Sequence, residues 1–160
     1  MHSDFESRSK PAIVLLGVFV EDLMVLSNEI VQGGGSEAVV WPGSARAALS
    51  GISPKTILAI TLSDNVEDLS ALLKKALELE AHLLIVSSDQ VALTQEIMAS
   101  GVNMDEALSS ASQILSLILE AAKQANGRAI MISHEDIYES KSDIVRHIFH
   151  LWPELIARPI

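Results

Sequence analysis

Apolar runs of strand length alternate along this chain with stretches in which apolar residues recur every three or four positions. The first pattern is that of a strand buried on both faces, the second that of a helix with one buried side. After a polar leader over residues 1–10, Pro11 marks the start of structure and residues 12–19 predict a first strand. Residues 37–41, 55–62, 82–87 and 128–133 predict four more. Between them, residues 21–31 predict a short helix with Leu23, Met24, Leu26 and Ile30 inward, and residues 44–49 a helical turn. The helix opened by Ser63 and Asp64 faces inward with Val66, Leu69, Leu72, Leu73, Ala76 and Leu77, and Asp64 and Glu67 are spaced as a capping box. Residues 90–100 form a helix closed by Gly101; a longer one, capped by Asn103 or Asp105, carries Leu108, Ala111, Leu115, Ile118 and Ala122 and stops at Gly127. A last helix over residues 142–151 buries Ile144, Val145, Ile148, Phe149 and Trp152 before Pro153 ends it.

Strands alternating with helices, joined by right-handed crossovers, give an α/β fold. The expected architecture is a three-layer αβα sandwich with a mostly parallel sheet of about five strands. It occupies one domain over residues 11–153, with an apolar tail over residues 154–160. Gly33 to Ser36 follows a helix instead of opening one and reads as a flexible connection.

Composition narrows the function classes. At 160 residues and 49% hydrophobic content the chain can bury a core without staples, and the absence of cysteine removes disulfides, thiolate metal sites and thiol nucleophiles together. A net charge of −10, with 11 Lys and Arg spread along the chain, argues against nucleic-acid and anionic membrane surfaces. The run over residues 12–20 is too short to span a bilayer. A soluble cytoplasmic protein is expected, in contact with a protein partner or with copies of itself.

In such a sheet, chemistry sits at the carboxyl ends of the strands. This sequence puts Glu21 and Asp22 there, then Ser63, Asp64 and Asn65, then Ser87, Ser88 and Asp89, then Ser133, His134, Glu135 and Asp136. Asp22, Asp64 and Asp89 could converge on a Mg²⁺ ion; equally, acidic and hydroxyl residues after strands cap the helices that follow. His134 beside Glu135 is the best general-base pair in the chain. His147 and His150, three apart and near Glu154, have a spacing that suits a metal or a helix C-terminus, and His82 reads as structural. The segment Gly17 to Asp22 has one glycine and two acids, so it is poorly suited to cradle phosphate, and no nucleophile elbow is present.

From His82 onward the order of signals resembles the carboxyl-terminal half of nucleotide-dependent sulfotransferases, which have a P-loop-kinase-like α/β fold. Ser88-Asp89-Gln90 stands where that family has Arg-Asp-Pro, residues 107–125 at its long helix, and Ile132-Ser133-His134-Glu135-Asp136-Ile137 at its Tyr-Glu-Asp-Leu-like segment. The resemblance implies that the arginine and serine holding the donor's 3′-phosphate correspond to Ser88 and Glu96. It also places Gly17, Val20, Glu21, Asp22 and Leu23 where the family has Gly-x-x-Arg-Ser-Gly-Thr. An anion is thereby added where a cation is needed.

Two functions follow as expectations. The first is a non-catalytic, sulfotransferase-like pseudoenzyme that binds no cofactor and serves as a binding, scaffold or assembly component, with the apolar tail and the Trp41-Pro42 loop as contact sites. The second is a transferase using 3′-phosphoadenylyl sulfate held by Ser87, Ser88 and Asp89, or Mg²⁺ held by Asp22, Asp64 and Asp89, with His134 or Glu135 as base.

Overall fold

The structure, a computed structural model, describes residues 10–156. Nearly all of the leader and the last four residues of the tail, 157–160, lie outside the described residues. Five strands, β1 (Ile13–Gly17), β2 (Ala38–Val40), β3 (Thr56–Thr61), β4 (His82–Ser87) and β5 (Ala129–Ser133), form one parallel sheet in the order β2-β3-β1-β4-β5. Six helices surround it: α1 (Val20–Gln32), α2 (Ala45–Ala48), α3 (Val66–Glu78), α4 (Gln90–Met98), α5 (Met104–Ala125) and α6 (His134–Leu151).

The strand order dictates the layers. A right-handed crossover that moves one way along the sheet lies on one face, and a crossover moving the other way lies on the opposite face. From β1 the chain steps over β3 to β2 by way of α1; every later step runs in the reverse direction, through α2, α3, and α4 with α5. Hence α1 is alone among the crossover helices on its face, and α6, after the last strand, packs beside it. Alternate residues of the strands serve the two cores. Val14, Leu16, Leu58, Ile60, Leu83 and Ile85 meet Leu69, Leu72, Ile114 and Ile118 on one side. Ile13, Leu15, Ile57, Ala59, Leu84 and Val86 meet Leu23, Leu26, Ile30, Ile137 and Ile148 on the other. The three-layer parallel α/β architecture expected from the sequence is the one found.

Several local expectations are corrected. A further helical segment opens at His134, ahead of the expected helix over residues 142–151, and the backbone breaks between the two at Ser140 (φ −146°, ψ 40°). In α5 the buried stripe is Ala107, Ala111, Ile114, Ile118, Ala121 and Ala125, while Leu108 is exposed. The expected stripe is thus turned about one residue around the axis, since alanines allow the close approach that leucines would block. In α1, Met24 is half exposed and Asp22 is buried.

Asn65, not Asp64, caps α3, accepting from the Asp68 amide at 3.1 Å, and Asn103 caps α5. After α5 the positive φ belongs to Asn126 (φ 55°), not to Gly127. Gly33 and Gly35 are packing residues more than a flexible joint: a Cβ on Gly35 would come within 2.7 Å of the Phe149 ring and 2.8 Å of Ile30. The tail does not stand free at its start, because Leu155 is fully buried in the α1–α6 core.

Candidate functional site at the carboxyl edge of the sheet

The connection from β1 to α1 is only two residues, Val18 and Phe19. Gly17 permits this tight passage: a Cβ there would meet Leu23 Cδ2 at 3.0 Å and Val86 Cβ at 3.2 Å. Phe19 occupies the N-cap without a side-chain cap bond, and Glu21 and Asp22 fill the first turn. Acidic residues are favoured there because the first-turn amides carry partial positive charge. Asp22 also lies on the inner stripe, since it precedes Leu26 and Ile30 at four-residue spacing; the side chain is fully buried.

At the far end of the chain, β5 delivers Ser133 and His134 to the same edge. Nδ1 of His134 lies 2.6 Å from Oδ2 of Asp22. The other oxygen, Oδ1, is buried with no hydrogen-bond partner. An unmet buried acceptor costs about 1–3 kcal/mol, so a donor from a ligand or from water would be favoured there. The His134 ring contacts Phe19 (centroids 4.9 Å apart) and meets Tyr138 edge-on at 5.9 Å. Partial desolvation of the Tyr138 phenol, whose ring is largely exposed, followed by the neighbouring carboxylates of Asp22 and Glu21, raises it above the ordinary value of 10.0. Each carboxylate disfavours a second negative charge beside it.

Phe19, His134 and Tyr138 border a cleft of about 620 Å³, completed by Glu21, Thr61, Ser63 and Glu96, while Asp22 lies buried behind His134. That volume suits a small molecule. Among the described residues no Lys or Arg lines it. A groove of about 650 Å³ between α3 and α5 is lined by serines, Val66, Gln113, Leu117 and two glutamates.

The sequence-derived site residues are only partly assembled. His134 and Asp22 meet; Glu135 is exposed in the first turn of α6 and takes no part in their bond. Asp64 is engaged elsewhere: Oδ2 accepts from the Ala45 amide and Oδ1 from the Asn65 amide, both at 2.6 Å. Asp89 caps α4 through the Ala92 amide at 2.8 Å. Asp22, Asp64 and Asp89 therefore do not form a common site, and among the described residues no group of three or more His, Asp or Glu is placed to hold a metal ion. Ser87 donates to the Ile132 carbonyl at 3.3 Å, and the Ser88 hydroxyl is buried without a partner. His147 and His150 are exposed, while Glu154 is bonded to His82 at 2.6 Å.

Val18, Phe19, Thr61 and Tyr138 are the lining residues to which sequence reasoning gave no role. Tyr138 was findable only once α6 was known to begin at His134, which sets the two residues one turn apart. No helix among the described residues is long and apolar enough to cross a membrane.

No protein-family model matches the chain, and no curated protein matches it in sequence. Among solved structures it is similar to the YorR protein from Bacillus subtilis, crystallised in complex with phosphorylated GDP, at 14% identity over 88% of this chain and 95% of that one, with a TM-score of 0.47. A gluconokinase from Sinorhizobium meliloti 1021 is similar at 13% identity over 93% of each chain, with a TM-score of 0.46. Likeness at this distance assigns neither residues nor activity.

Proposed function

We propose that this chain is a sulfotransferase-like α/β domain that acts by binding, as a scaffold or assembly component, and not by group transfer. The observation that carries this reading is the fully buried Asp22 in the first turn of α1, paired with His134. A donor's phosphates need free amides and a cation at that turn. Here the two-residue connection leaves no glycine-rich loop, and the chain's own carboxylate sits where an anion would be drawn. Glu21 and Glu96 add like charge, which opposes a polyanion most strongly where water is thinned out.

Contact with a partner is assigned to the β2 edge of the sheet, where Val40 and Trp41 are exposed, and to the tail, where Leu155 is buried in the core but Ile156 is exposed. Thermal melting tests the reading. A ligand at 100 times its dissociation constant stabilises by roughly 2.7 kcal/mol, so 3′-phosphoadenylyl sulfate, ATP and Mg²⁺ are each expected to leave the midpoint unchanged. A concentration-dependent rise with either nucleotide overturns it.

A second reading rests on the same pair. A buried carboxylate fixes the orientation of an imidazole and supports it as a general base, so the Asp22–His134 geometry favours His134 over Glu135 in any enzymatic role. Transfer of a sulfuryl or phosphoryl group that disappears in His134→Gln and survives in Glu135→Gln would establish that reading in place of the first.

A further inference from the structure

Helix α5 is apolar on two flanks, and the fold buries only one of them. The buried flank is the row from Ala107 to Ala125 that faces the sheet. A second row, Met104, Leu108, Leu115 and Leu119, recurs at spacings of four, seven and four, so it runs along one side of the helix. Met104 and Leu119 are each 59% exposed and Leu108 41%, while Leu115 is half-buried. The row is not the side that meets α3, because Gln113, Leu117 and Glu120 border the groove there. A surface helix ordinarily keeps one apolar stripe and turns polar residues to water. Met131 of the edge strand β5 is also exposed, on the sheet face that α5 covers, since Ile130 and Ile132 point to the other core.

The charges at the two ends of the row indicate what covers it. Asp105 stands in the first turn of α5 and Lys123 in the last. They are eighteen residues apart, which is five whole turns, so both project from the same side of the helix beside the row. Among the described residues neither takes part in an ion pair. An antiparallel second copy of α5, related by a two-fold axis at the level of Gln113 and Ile114, sets Leu108 against Leu119 of that copy. Ser112 is then small enough to admit Leu115 of the second copy, and Asp105 of each copy comes beside Lys123 of the other. Every contact occurs twice, as a two-fold interface requires. A parallel copy would instead bring like charges together.

We propose that the chain forms a two-fold homodimer through this flank, with antiparallel α5 helices at its centre. The net charge of −10 on each copy is screened beyond about 8 Å at physiological salt, whereas the Asp105–Lys123 pairs act within that range. The contact is independent of the carboxyl-edge cleft and gives the binding-domain reading one partner, the chain itself.

Sedimentation equilibrium of the full chain at physiological salt, from micromolar to millimolar concentration, tests this. The expected result is a monomer–dimer equilibrium that approaches twice the chain mass. Leu108→Glu, at an exposed position that the monomer tolerates, is expected to leave a folded monomer, because it would bury a carboxylate twice in the contact. Asp105→Lys and Lys123→Glu are each expected to weaken association about tenfold, since each turns two attractions into two repulsions. An equimolar mixture of these two variants should restore the dimer, because a copy with only lysines at the two positions then faces a copy with only carboxylates. A monomer at every concentration, a dimer that Leu108→Glu leaves intact, or a mixture no more associated than either variant alone overturns the proposal. Nucleotide-dependent melting bears on the binding-domain reading alone, so failure of one idea is visible apart from failure of the other.

Discussion

Nδ1 of His134 and Oδ2 of Asp22 lie 2.6 Å apart although 112 residues separate them in sequence. The bond ties the first turn of α6 to the first turn of α1, the two helices that cover one face of the sheet. His134→Ala leaves Asp22 buried with both oxygens unpartnered and is expected to cost about 1–3 kcal/mol. Adding Asp22→Leu removes the orphaned charge, so the double variant should be more stable than the sum of its single losses, as for other buried pairs whose members are replaced together. Urea midpoints for the four-protein cycle measure this. Additivity within a few tenths of a kcal/mol would show that the two side chains do not interact.

How far the sequence disclosed this arrangement depends on which physical signal carried each part. Buried parallel strands announce themselves as apolar runs, and His82 to Ser87 has the same bounds in sequence and structure. The acidic carboxyl edge was equally legible, because order along an α/β chain places residues after strands at that edge. What could not be read was which of those residues meet, since that depends on strand order and crossover direction. Asp22 shows the difficulty: its four-residue spacing to Leu26 marks an inward position, yet a carboxylate at a helix start has an equally good reason to point outward as a cap. Asp89 took the capping option, Asp64 turned instead to the Ala45 and Asn65 amides, and Asp22 did neither.

Tyr138 is the only tyrosine in the chain, so its ionisation can be followed directly by absorbance near the phenolate band. Partial desolvation of its phenol and the Asp22 and Glu21 carboxylates raise its pKa above 10.0 in the folded protein. Its midpoint is expected above 10 in the native chain and nearer 10 in Glu21→Gln. The sign for stability follows: the folded state holds this proton more tightly than the unfolded state. The contribution is therefore fully present below pH 10 and lost as pH rises through the folded value. Between pH 9 and 11.5, wild type should lose stability relative to Tyr138→Phe; a constant difference would contradict the raised value.

Gly35 is buried beneath the Phe149 ring, with Ile30 on its other side. Gly35→Ala would place its new methyl 2.7 Å from Phe149 Cε1, closer than carbon atoms allow. The ring must move, and overpacking of this kind costs about 1–3 kcal/mol. Phe149→Leu alone is expected to destabilise by leaving a gap, whereas Gly35→Ala in the Phe149→Leu background should cost less than in wild type, the remaining cost coming from the 2.8 Å approach to Ile30 Cγ2. Gly34→Ala is governed by a different cause, because its φ of +84° disfavours any Cβ while the space around it is open. No change at Phe149 should rescue that variant.

At the opposite end of the sheet, Trp152 closes the amino edge. Its side chain is almost fully buried, its Nε1 donates to the Gly127 carbonyl at 3.0 Å, and its ring meets His82 edge-on at 4.7 Å. His82 in turn bonds Glu154 at 2.6 Å, so the chain after α6 is fastened to the start of β4 by packing and one polar contact, and to the turn before β5 by the indole bond. The three positions should therefore differ in a fixed order. Trp152→Ala loses the largest buried side chain and is expected to cost about 3–5 kcal/mol. Trp152→Phe keeps most of the apolar contact but leaves the Gly127 carbonyl without its indole donor, for about 1–2 kcal/mol. Glu154→Gln still presents an oxygen to His82 from a partly exposed position and should cost under about 1 kcal/mol. Guanidinium denaturation of the three variants checks the ranking. A Glu154→Gln loss equal to that of Trp152→Ala would mean that the polar bond, not the packed indole, holds this end of the fold.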